Sequence, residues 1–506
     1  MADTRSRATV RSAVLAGLAF GAFLLASVVV YYPSFDVGFL GDDWVRLQRT
    51  RTESFLSLLS PLSLRGRPEI FHYQPLSEMT IKALDSLFGL RPARWHVVSL
   101  TLHSLNASLV CAFAAAALRW TKMDAFLTGL LFVVSFQHYE VILWLTCLSY
   151  LVTAVFVLAG LICFAEFILQ GSKRWLWAYV ACVALAVLTT ELGVVLVPGA
   201  ALVHAYLCRD RRAGWLRAAL EVAVGQIPAV CVLGGWLFLR AMALTNVEPP
   251  HQVTAVKAVA TFVYSLFGLL SFNLPALYEL AFEHKHAAAA ALIPALAAIV
   301  ILGSPVMRLG LLGFILAFSP NYFFTGFQTR YYYLAGVFMS VFVAATVLRL
   351  APSRRAGHLG LAAVVLLTTI SGGSYRADRV AEWRLASEVT TNTLAVLHRT
   401  FPDGSPILNG TMLVIDAPAR VGHPWGPAFP AHVFQNGLPE AIALSYGGTG
   451  QGPRIDFASS GHDAPYIVKA SRVLGSDEPA RRGEGTVTLT YDVGDPRRVQ
   501  VGRLGS

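Results

Sequence analysis

The sequence has little charge for its length. Only 14% of its 506 residues are Asp, Glu, Lys or Arg, whereas soluble proteins carry about 25%. Cysteine is also scarce, with six residues in the whole chain. These cysteines form no CxxC pair and no Cys/His cluster with zinc spacing. A disulfide scaffold is therefore excluded, and the cysteines are interpreted as small buried hydrophobic residues. With 55% hydrophobic residues, the chain is neither an ordinary soluble enzyme nor a disordered protein.

Long apolar runs are what the sequence does contain. Runs of about 20 apolar residues are typical of helices that span a membrane. Such runs lie at about 12–32, 96–118, 124–137, 147–170, 175–188, 193–207, 217–241, 287–305, 309–323, 331–350 and 357–374. The sequence therefore predicts a polytopic α-helical membrane protein with about eleven transmembrane helices.

Basic residues set the predicted orientation of these helices. Three arginines precede the first run, and basic clusters then fall between alternate pairs of runs, as the positive-inside rule predicts. We therefore expect a cytoplasmic N-terminus, with the loop 33–95 and everything after residue 374 outside. The apolar segment 254–275 breaks the alternation if it crosses, so a re-entrant or interfacial helix is expected there.

The net charge of +10 also bears on the partners of the protein. The excess of basic residues lies among the apolar runs, because acidic and basic residues balance from Tyr375 onward. Basic residues near a membrane hold anionic lipid or phosphate groups. Membrane lipids are therefore expected partners. A nucleic acid is not, because no basic helix or RNP-like aromatic strand is found.

The pattern changes after residue 374. A helix is expected over about 376–400, and short strand-like runs follow at 412–417, 441–446 and 487–493, separated by Gly/Pro-rich turns. This pattern predicts two domains, a membrane domain over 1–374 and a soluble extracytoplasmic α+β domain over 375–506. Some of its polar and aromatic side chains either bind a sugar-bearing acceptor or pack the domain: His423, Trp425, Asn436 and Tyr446.

An acidic pair directly after the first apolar run is the sharpest local feature. Asp42 and Asp43 stand in Gly-Asp-Asp-Trp, and Arg46 follows. Adjacent carboxylates repel each other, and such pairs are often kept where a proton or a divalent cation must be handled. The alternative interpretation is a solvated loop in which Trp44 anchors the membrane interface.

Two histidines lie on one face of the second predicted span. His96 and His103 are seven residues apart, which is two helical turns, so both project from the same side. They are either packed residues that hydrogen-bond in the core or ligands for a polar substrate. Lys82 lies in the loop before them.

Charged and aromatic side chains recur at the ends of later runs. Glu140 and Glu191 lie where membrane burial makes a carboxylate costly, which favours a functional role over hydrated interfacial turns. Arg330, Tyr331 and Tyr333 open the tenth run, where they suit either phosphate binding or an aromatic belt. The predicted topology brings these residues, the acidic pair and the two histidines to one outer membrane face.

The order of these motifs resembles that of the polytopic glycosyltransferases of the GT-C fold. The acidic pair, the Pro75-Leu76 stretch, His96 and His103, His138-x-Glu140, the Glu191 turn and Arg330-Tyr331-x-Tyr333 follow one another over most of residues 12–375. The likeness is to bacterial relatives of protein O-mannosyltransferases and of transmembrane-TPR mannosyltransferases. It implies transfer of a sugar from a polyprenyl-phosphate carrier to a protein, lipid or glycan acceptor, outside a bacterial inner membrane.

The resemblance also implies roles for the residues. Asp42 or Asp43 would be the catalytic base, and Arg46, Lys82, His96, His103 and Arg330 would bind the lipid phosphate. Glu140, Glu191, Tyr331 and Tyr333 complete the predicted substrate-binding set. A carboxylate base suits direct displacement at the anomeric carbon, with inversion, and a divalent cation at the acidic pair stays open.

Two other functions stay open from the sequence. A lipid or oligosaccharide transporter also needs many spans and charges within the membrane, but often shows paired repeats, and none is found. A polyprenyl-linked oligosaccharide ligase would rely on external Arg and His rather than on a carboxylate.

Overall fold

The computed structural model describes residues 2–64, 72–209, 215–244, 254–323, 328–402 and 438–447, together with seven short strands between 412 and 504. The described helices are α1 (Ala2–Tyr31), α2 (Asp42–Thr52), α3 (Phe55–Leu59), α4 (Pro75–Phe88), α5 (Pro92–Ala116), α6 (Lys122–Val133), α7 (Tyr139–Leu143), α8 (Leu148–Gln170), α9 (Lys173–Thr189), α10 (Leu196–Cys208), α11 (Trp215–Ala243), α12 (Ala255–Leu270), α13 (Pro275–Glu283), α14 (Lys285–Leu302), α15 (Pro305–Phe318), α16 (Tyr332–Leu350), α17 (Arg354–Thr400) and α18 (Leu438–Ser445). Short 3-10 helices join several of them, including Phe136–His138, Leu145–Cys147, Glu191–Val195 and Thr329–Tyr331.

Many of these helices are long and apolar enough to cross a membrane. Within the described residues there are 8 of them, or 9 if α6 and the segment Phe136–Leu143, which bend by 49° at their junction, form one span. Helices α9 and α15 match two further predicted spans. They have only 17 and 14 residues, short of the roughly 20 needed for a crossing. The polytopic helical architecture is thus confirmed, whereas the number of eleven spans is not.

The segment predicted to be re-entrant or interfacial forms α12, a turn and α13. Helix α12 has 16 residues, fewer than the roughly 20 of a membrane span. The helix ends before Phe272 and Asn273, which have left-handed backbone angles, with φ of 50° and 65°. The fully buried Asn273 accepts a hydrogen bond from Ser135 Oγ at 2.8 Å, which ties the turn to the bundle.

Helix α17 is continuous over 47 residues. The sequence predicts a boundary between domains at 374/375, but this point lies inside the helix, so no loop separates the two parts. Gly372 allows a close contact there, since a Cβ atom would lie 3.2 Å from Phe136 Cβ. Arg376 is buried in the same region and donates to the carbonyl oxygens of Val134 and Thr369.

Helices α15 and α16 pack closely through a glycine. A Cβ atom on Gly310 would lie 2.9 Å from the Cα of Phe342, so the backbone of α16 would have to move. Small residues allow this kind of approach between helices in membranes. We expect Gly310→Ala to destabilise the protein by about 1–3 kcal/mol.

Thermal unfolding of the purified protein in detergent measures this effect. Gly373→Ala is the matched control, because a Cβ atom added to Gly373 would have nothing within 4 Å. An equal unfolding temperature for the two variants would contradict the close packing of α15 on α16.

The strands after residue 411 form two sheets. The strands are β1 (Met412–Asp416), β2 (Pro418–Val421), β3 (Ala431–His432), β4 (Arg454–Phe457), β5 (Ile467–Lys469), β6 (Thr486–Tyr491) and β7 (Val499–Leu504). One sheet has the strand order β4-β1-β6-β7 and the other β3-β2-β5. Strands β1 and β6 lie at predicted positions, and they pair in parallel.

The strand predicted at 441–446 is wrong, because these residues lie in or beside α18. Pro439, near the helix N-terminus, favours a first helical turn, and the residues Ala441 to Leu444 are buried together. Of the polar and aromatic residues predicted for this region, Tyr446 packs its ring 4.0 Å from that of His398. His423, Trp425 and Asn436 lie outside the described residues.

Candidate functional site

The acidic pair forms the first turn of α2. Gly41 precedes the helix with a φ of 49°, a left-handed angle that favours glycine. Asp42 and Asp43 therefore stand at the positive end of the helix dipole, which stabilises carboxylates. The two side chains differ in burial, since Asp43 is 4% exposed and Asp42 is only partly buried.

Asp43 connects the loop before α2 to the turn before α8. Its Oδ2 accepts from the backbone N–H of Leu40 at 2.9 Å, and its Oδ1 accepts from both the N–H and the hydroxyl of Thr146 at 2.5 Å. Burial raises the pKa of Asp43 to about 7, although these hydrogen bonds oppose the shift, and the charge of Asp42 adds to it. Both carboxylate oxygens are thus engaged in holding the backbone.

Arg46 lies one turn further along α2 and reaches the same turn. It donates to the carbonyl oxygen of Thr146 at 3.2 Å, to Ser77 Oγ at 2.7 Å and to Glu78 Oε1 at 2.7 and 2.9 Å. Two N–H groups on one edge of the guanidinium group donate to the same Glu78 oxygen, which fixes the plane of that group. Arg46 and Asp43 together hold α2 against Thr146, which leaves Asp42 on a firmly placed helix end.

Glu140 and Arg330 form a buried ion pair. Glu140 is fully buried, and its Oε1 lies 2.8 Å from Arg330 Nη1. Its Oε2 accepts from the backbone N–H of Arg330 at 2.8 Å and from the hydroxyl of Thr329 at 2.7 Å. The guanidinium group also stacks over Trp144, 5.0 Å from the ring centre. Carboxylate and indole thus hold the Arg330 side chain, of which 17% is exposed.

Four of the predicted residues meet at the short segment 144–147. Asp43 and Arg46 hydrogen-bond to Thr146, Arg330 stacks over Trp144, and Glu140 pairs with Arg330. We call these four residues the charged cluster. The structure therefore brings together the acidic-pair motif, the Glu140 turn and the Arg330 motif, which are up to about 290 residues apart in sequence.

Glu191 belongs to a neighbouring group. Its carboxylate lies 3.0 Å from His72 Nδ1 and 3.8 Å from Arg240 Nε, and it accepts from Gln74 Nε2 at 2.6 Å. Gln74 precedes α4, and Glu78 lies in the first turn of that helix. The N-terminus of α4 thus links Glu191 to the charged cluster, because Gln74 contacts Glu191 and Glu78 contacts Arg46.

Lys82 does not reach the charged cluster. Its ammonium group donates to the carbonyl oxygen of Thr50 at 2.6 Å, near the end of α2, and lies 5.6 Å from the centre of the Phe55 ring. A cation is favourable at a helix C-terminus. Lys82 thus helps to fix the end of α2, and its phosphate-binding role stays a prediction.

His96, His103 and Tyr333 lie in the core of the helix bundle. His96 and His103 are fully buried on the same side of α5. The ring nitrogens of His96 contact the carbonyl oxygens of Val37 and Ile142, and those of His103 contact the Tyr333 hydroxyl and the Val133 carbonyl. These polar groups are engaged inside the helix bundle, and the substrate-binding role of the three residues stays a prediction.

Tyr331 and the acidic pair complete the predicted set. The ring of Tyr331 lies 5.4 Å from the Arg330 guanidinium carbon, which places it beside the charged cluster. Among the described residues, no group of three or more His, Cys, Asp or Glu side chains could hold a metal ion. A divalent cation at Asp42 and Asp43 stays a prediction.

Several residues of this arrangement were not predicted. Thr146, Glu78 and Trp144 orient the charged residues, and Arg240 contacts Glu191. Thr146 and Trp144 lie close to Glu140 in sequence, between two apolar runs, and this proximity was the available signal. Arg240 lies near the end of the apolar run 217–241, where an arginine has no distinctive pattern.

No family model and no curated protein matches the sequence. Among solved structures, the chain is similar to ArnT from Cupriavidus metallidurans in the apo state, with a TM-score of 0.47 and 13% identity over 86% of this chain and 84% of that one. The same protein bound to undecaprenyl phosphate gives a TM-score of 0.39 and 13% identity over 75% and 72% of the two chains. Arabinofuranosyltransferase AftD from Mycobacteria gives 0.45 and 13% identity over 87% of this chain and 31% of that one. TM-scores below 0.5 do not by themselves assign a fold or an activity.

Proposed function

We propose that the protein is an integral membrane glycosyltransferase. It moves a sugar from a polyprenyl-phosphate-linked donor to an acceptor hydroxyl on the extracytoplasmic face of a bacterial inner membrane, with its N-terminus in the cytoplasm. One observation carries the proposal: the carboxylate of Asp42 stands at the start of α2, the helix that contributes Asp43 and Arg46 to the charged cluster. A base and cationic groups are the two components that such a transfer needs.

Asp42 is the proposed general base. An acceptor hydroxyl is a weak nucleophile, and a carboxylate within hydrogen-bond reach removes its proton as the bond to the anomeric carbon forms. Asp43 is less suited to this role, because three donors already occupy its oxygens. Asp43 instead positions Asp42, and a single displacement with one base inverts the anomeric centre.

Arg330 and Arg46 are the proposed partners of the leaving phosphate. Negative charge grows on the phosphate as the glycosidic bond breaks, and fixed cationic donors stabilise it. Glu140 and Glu78 fix the two guanidinium groups, with bonds of 2.7–2.9 Å, so little reorganisation accompanies the reaction. Tyr331 and Glu191, with its neighbours His72 and Gln74, are the proposed contacts of the incoming carrier.

The proposal is tested with donors that carry a label in the sugar. The purified protein is incubated with a panel of polyprenyl-phosphate sugars and an envelope extract as acceptor. We expect one sugar to leave its carrier and to appear, with inverted configuration, on an acceptor. Movement of intact labelled carrier across a liposome membrane would indicate a transporter, and transfer from a pyrophosphate-linked oligosaccharide alone would indicate a ligase.

The pKa of Asp43 predicts how the rate depends on pH. With a pKa of about 7, Asp43 is protonated below that value and loses an acceptor that holds the start of α2. The transfer rate should therefore rise through pH 7. Stability changes in the opposite sense, because the native state holds this proton more tightly than the unfolded chain does. The stability that the native state gains from binding this proton is complete below about pH 4 and is lost as the pH rises through about 7.

Thr146→Val tests the assignment of this rise to Asp43. The Thr146 hydroxyl lowers the pKa of Asp43, so its loss should move the rise to higher pH. Thr50→Val is the control, because Thr50 is a buried threonine of α2 whose hydroxyl donates to the carbonyl oxygen of Leu47. The measurement is the initial rate of transfer at a series of pH values on both sides of neutrality. An unmoved profile in Thr146→Val would contradict the role of Asp43.

A further inference from the structure

Helix α6 and the segment Phe136–Leu143 are separated by Val134 and Ser135, which we call the break. Helix α6 ends directly before these two residues, and the two parts bend by 49°. Backbone groups that a break releases from the helical ladder need donors from neighbouring elements, because lipid supplies none. The side chains that bond to the break therefore fix the direction in which α7 leaves it.

Arg376 of α17 caps the break. Its Nη1 donates to the carbonyl oxygen of Val134 at 2.9 Å, and its Nη2 donates to the carbonyl oxygen of Thr369 at 3.1 Å. Val134 closes α6, where the helix dipole favours a cation. The arginine is buried, and among the described residues its hydrogen bonds go to carbonyl oxygens alone. A buried cation without a carboxylate is costly, which favours a specific role for this side chain.

Tyr31 and Asn273 hold the break from two other sides. The hydroxyl of Tyr31, at the end of α1, donates to the carbonyl oxygen of Ser135 at 3.0 Å, and the Ser135 hydroxyl donates to Asn273 Oδ1 at 2.8 Å. The guanidinium carbon of Arg376 lies 5.9 Å from the centre of the Tyr31 ring. The break is therefore fixed jointly by α1, by the turn after α12 and by α17.

The ion pair of Glu140 and Arg330 depends on the position of the break. Glu140 follows the break in the first turn of α7, and its two oxygens hold the side chain and the backbone N–H of Arg330. A shift of α7 at the break moves this carboxylate, and the guanidinium group moves with it. Displacement of a substrate-positioning group by about 1 Å can reduce a rate by a factor of about 100.

We propose that Arg376 is a positioning residue for sugar transfer. It fixes the break between α6 and α7, and through Glu140 it holds Arg330 at the phosphate of the donor. This inference rests on the proposed function. Arg376 acts through Glu140 and does not bind the phosphate itself, because its side chain is buried and both Nη atoms are engaged. Helix α17 thereby takes part in donor binding.

Steady-state kinetics of Arg376→Met test the inference in the transfer reaction that the donor panel establishes. Methionine is unbranched and removes both N–H donors. We expect the KM for the donor to rise by about tenfold or more, whereas the KM for the acceptor stays within about twofold. A purely structural loss of folded protein would lower kcat and leave both KM values unchanged.

A double-mutant cycle with Glu140→Gln tests whether Arg376 acts through Glu140. The Glu140→Gln substitution keeps the size of the side chain but removes the charge that holds Arg330. In this background, Arg376→Met should raise the donor KM by less than about twofold, because residues that act through one contact are not additive.

Two further variants guard against misfolding and against a general effect of charge. Tyr31→Phe removes only the hydroxyl that donates to Ser135 and should raise the donor KM by about threefold, which keeps the test open if Arg376→Met does not fold. Arg355→Met removes an exposed arginine of the same helix and should change neither KM. An unchanged donor KM in Tyr31→Phe and Arg376→Met, an equal rise for both substrates, or a full effect in the Glu140→Gln background would overturn the inference. A donor panel without any transfer would instead overturn the proposed function.

Discussion

Replacement of Asp42 by Asn is expected to lower kcat for sugar transfer by a factor of about 10²–10⁴, the range that a general base contributes. The amide keeps the size of the side chain but cannot accept the proton of the acceptor hydroxyl. The KM for the donor should change little, because Arg330 and Arg46 are untouched. The measurement is the steady-state rate with saturating labelled donor.

Asp378→Asn is the matched control for this experiment. Asp378 is an exposed carboxylate on α17, so its loss should leave the rate within about twofold of the wild type, since surface substitutions have small effects. A similar loss in both variants would indicate a general effect of charge on the protein. A fully active Asp42→Asn would rule out the proposed base.

Removal of Glu140 is expected to have the largest effect on stability. Glu140→Ala leaves the guanidinium group of Arg330 without its carboxylate, at a site where 17% of that arginine is exposed. Breaking a buried ion pair from one side costs about 3–5 kcal/mol. The same substitution leaves the Arg330 N–H without its acceptor, and the Thr329 hydroxyl with only the Tyr139 hydroxyl at 3.1 Å.

The double variant Glu140→Leu with Arg330→Met separates the two roles of the pair. Replacing both charges with apolar groups removes the unpaired cation, so most of the stability should return, as measured by thermal unfolding in detergent. Binding of the polyprenyl phosphate should not return, because the cation is gone. A single Glu140→Ala variant within about 1 kcal/mol of the wild type would contradict the buried pair.

The sequence predicts the helical bundle well because apolar runs report directly on membrane burial. The sequence predicts the limits and the type of individual elements less well. The change in composition at 374/375 predicts a domain boundary, and α17 is continuous through this point. The short apolar segment 441–446 resembles a strand in sequence, but Pro439 and tertiary packing place most of it in a helix.

Individual site residues depend on contacts that a linear pattern does not contain. The spacing of His96 and His103 correctly places them on one face of α5, but only the fold shows that this face meets the backbone of Val37 and Val133. The two adjacent aspartates are equivalent by sequence. Thr146, more than 100 residues away, distinguishes them by engaging Asp43.

The most direct test of the central claim is a comparison of two acceptors in the wild type and in Asp42→Ala. Azide is an anion with no proton to lose, so its attack on the anomeric carbon needs no base. We expect Asp42→Ala to lose transfer to the hydroxyl acceptor and to keep the formation of the glycosyl azide. Retained transfer to the hydroxyl, or equal loss of both reactions, would contradict proton removal by Asp42.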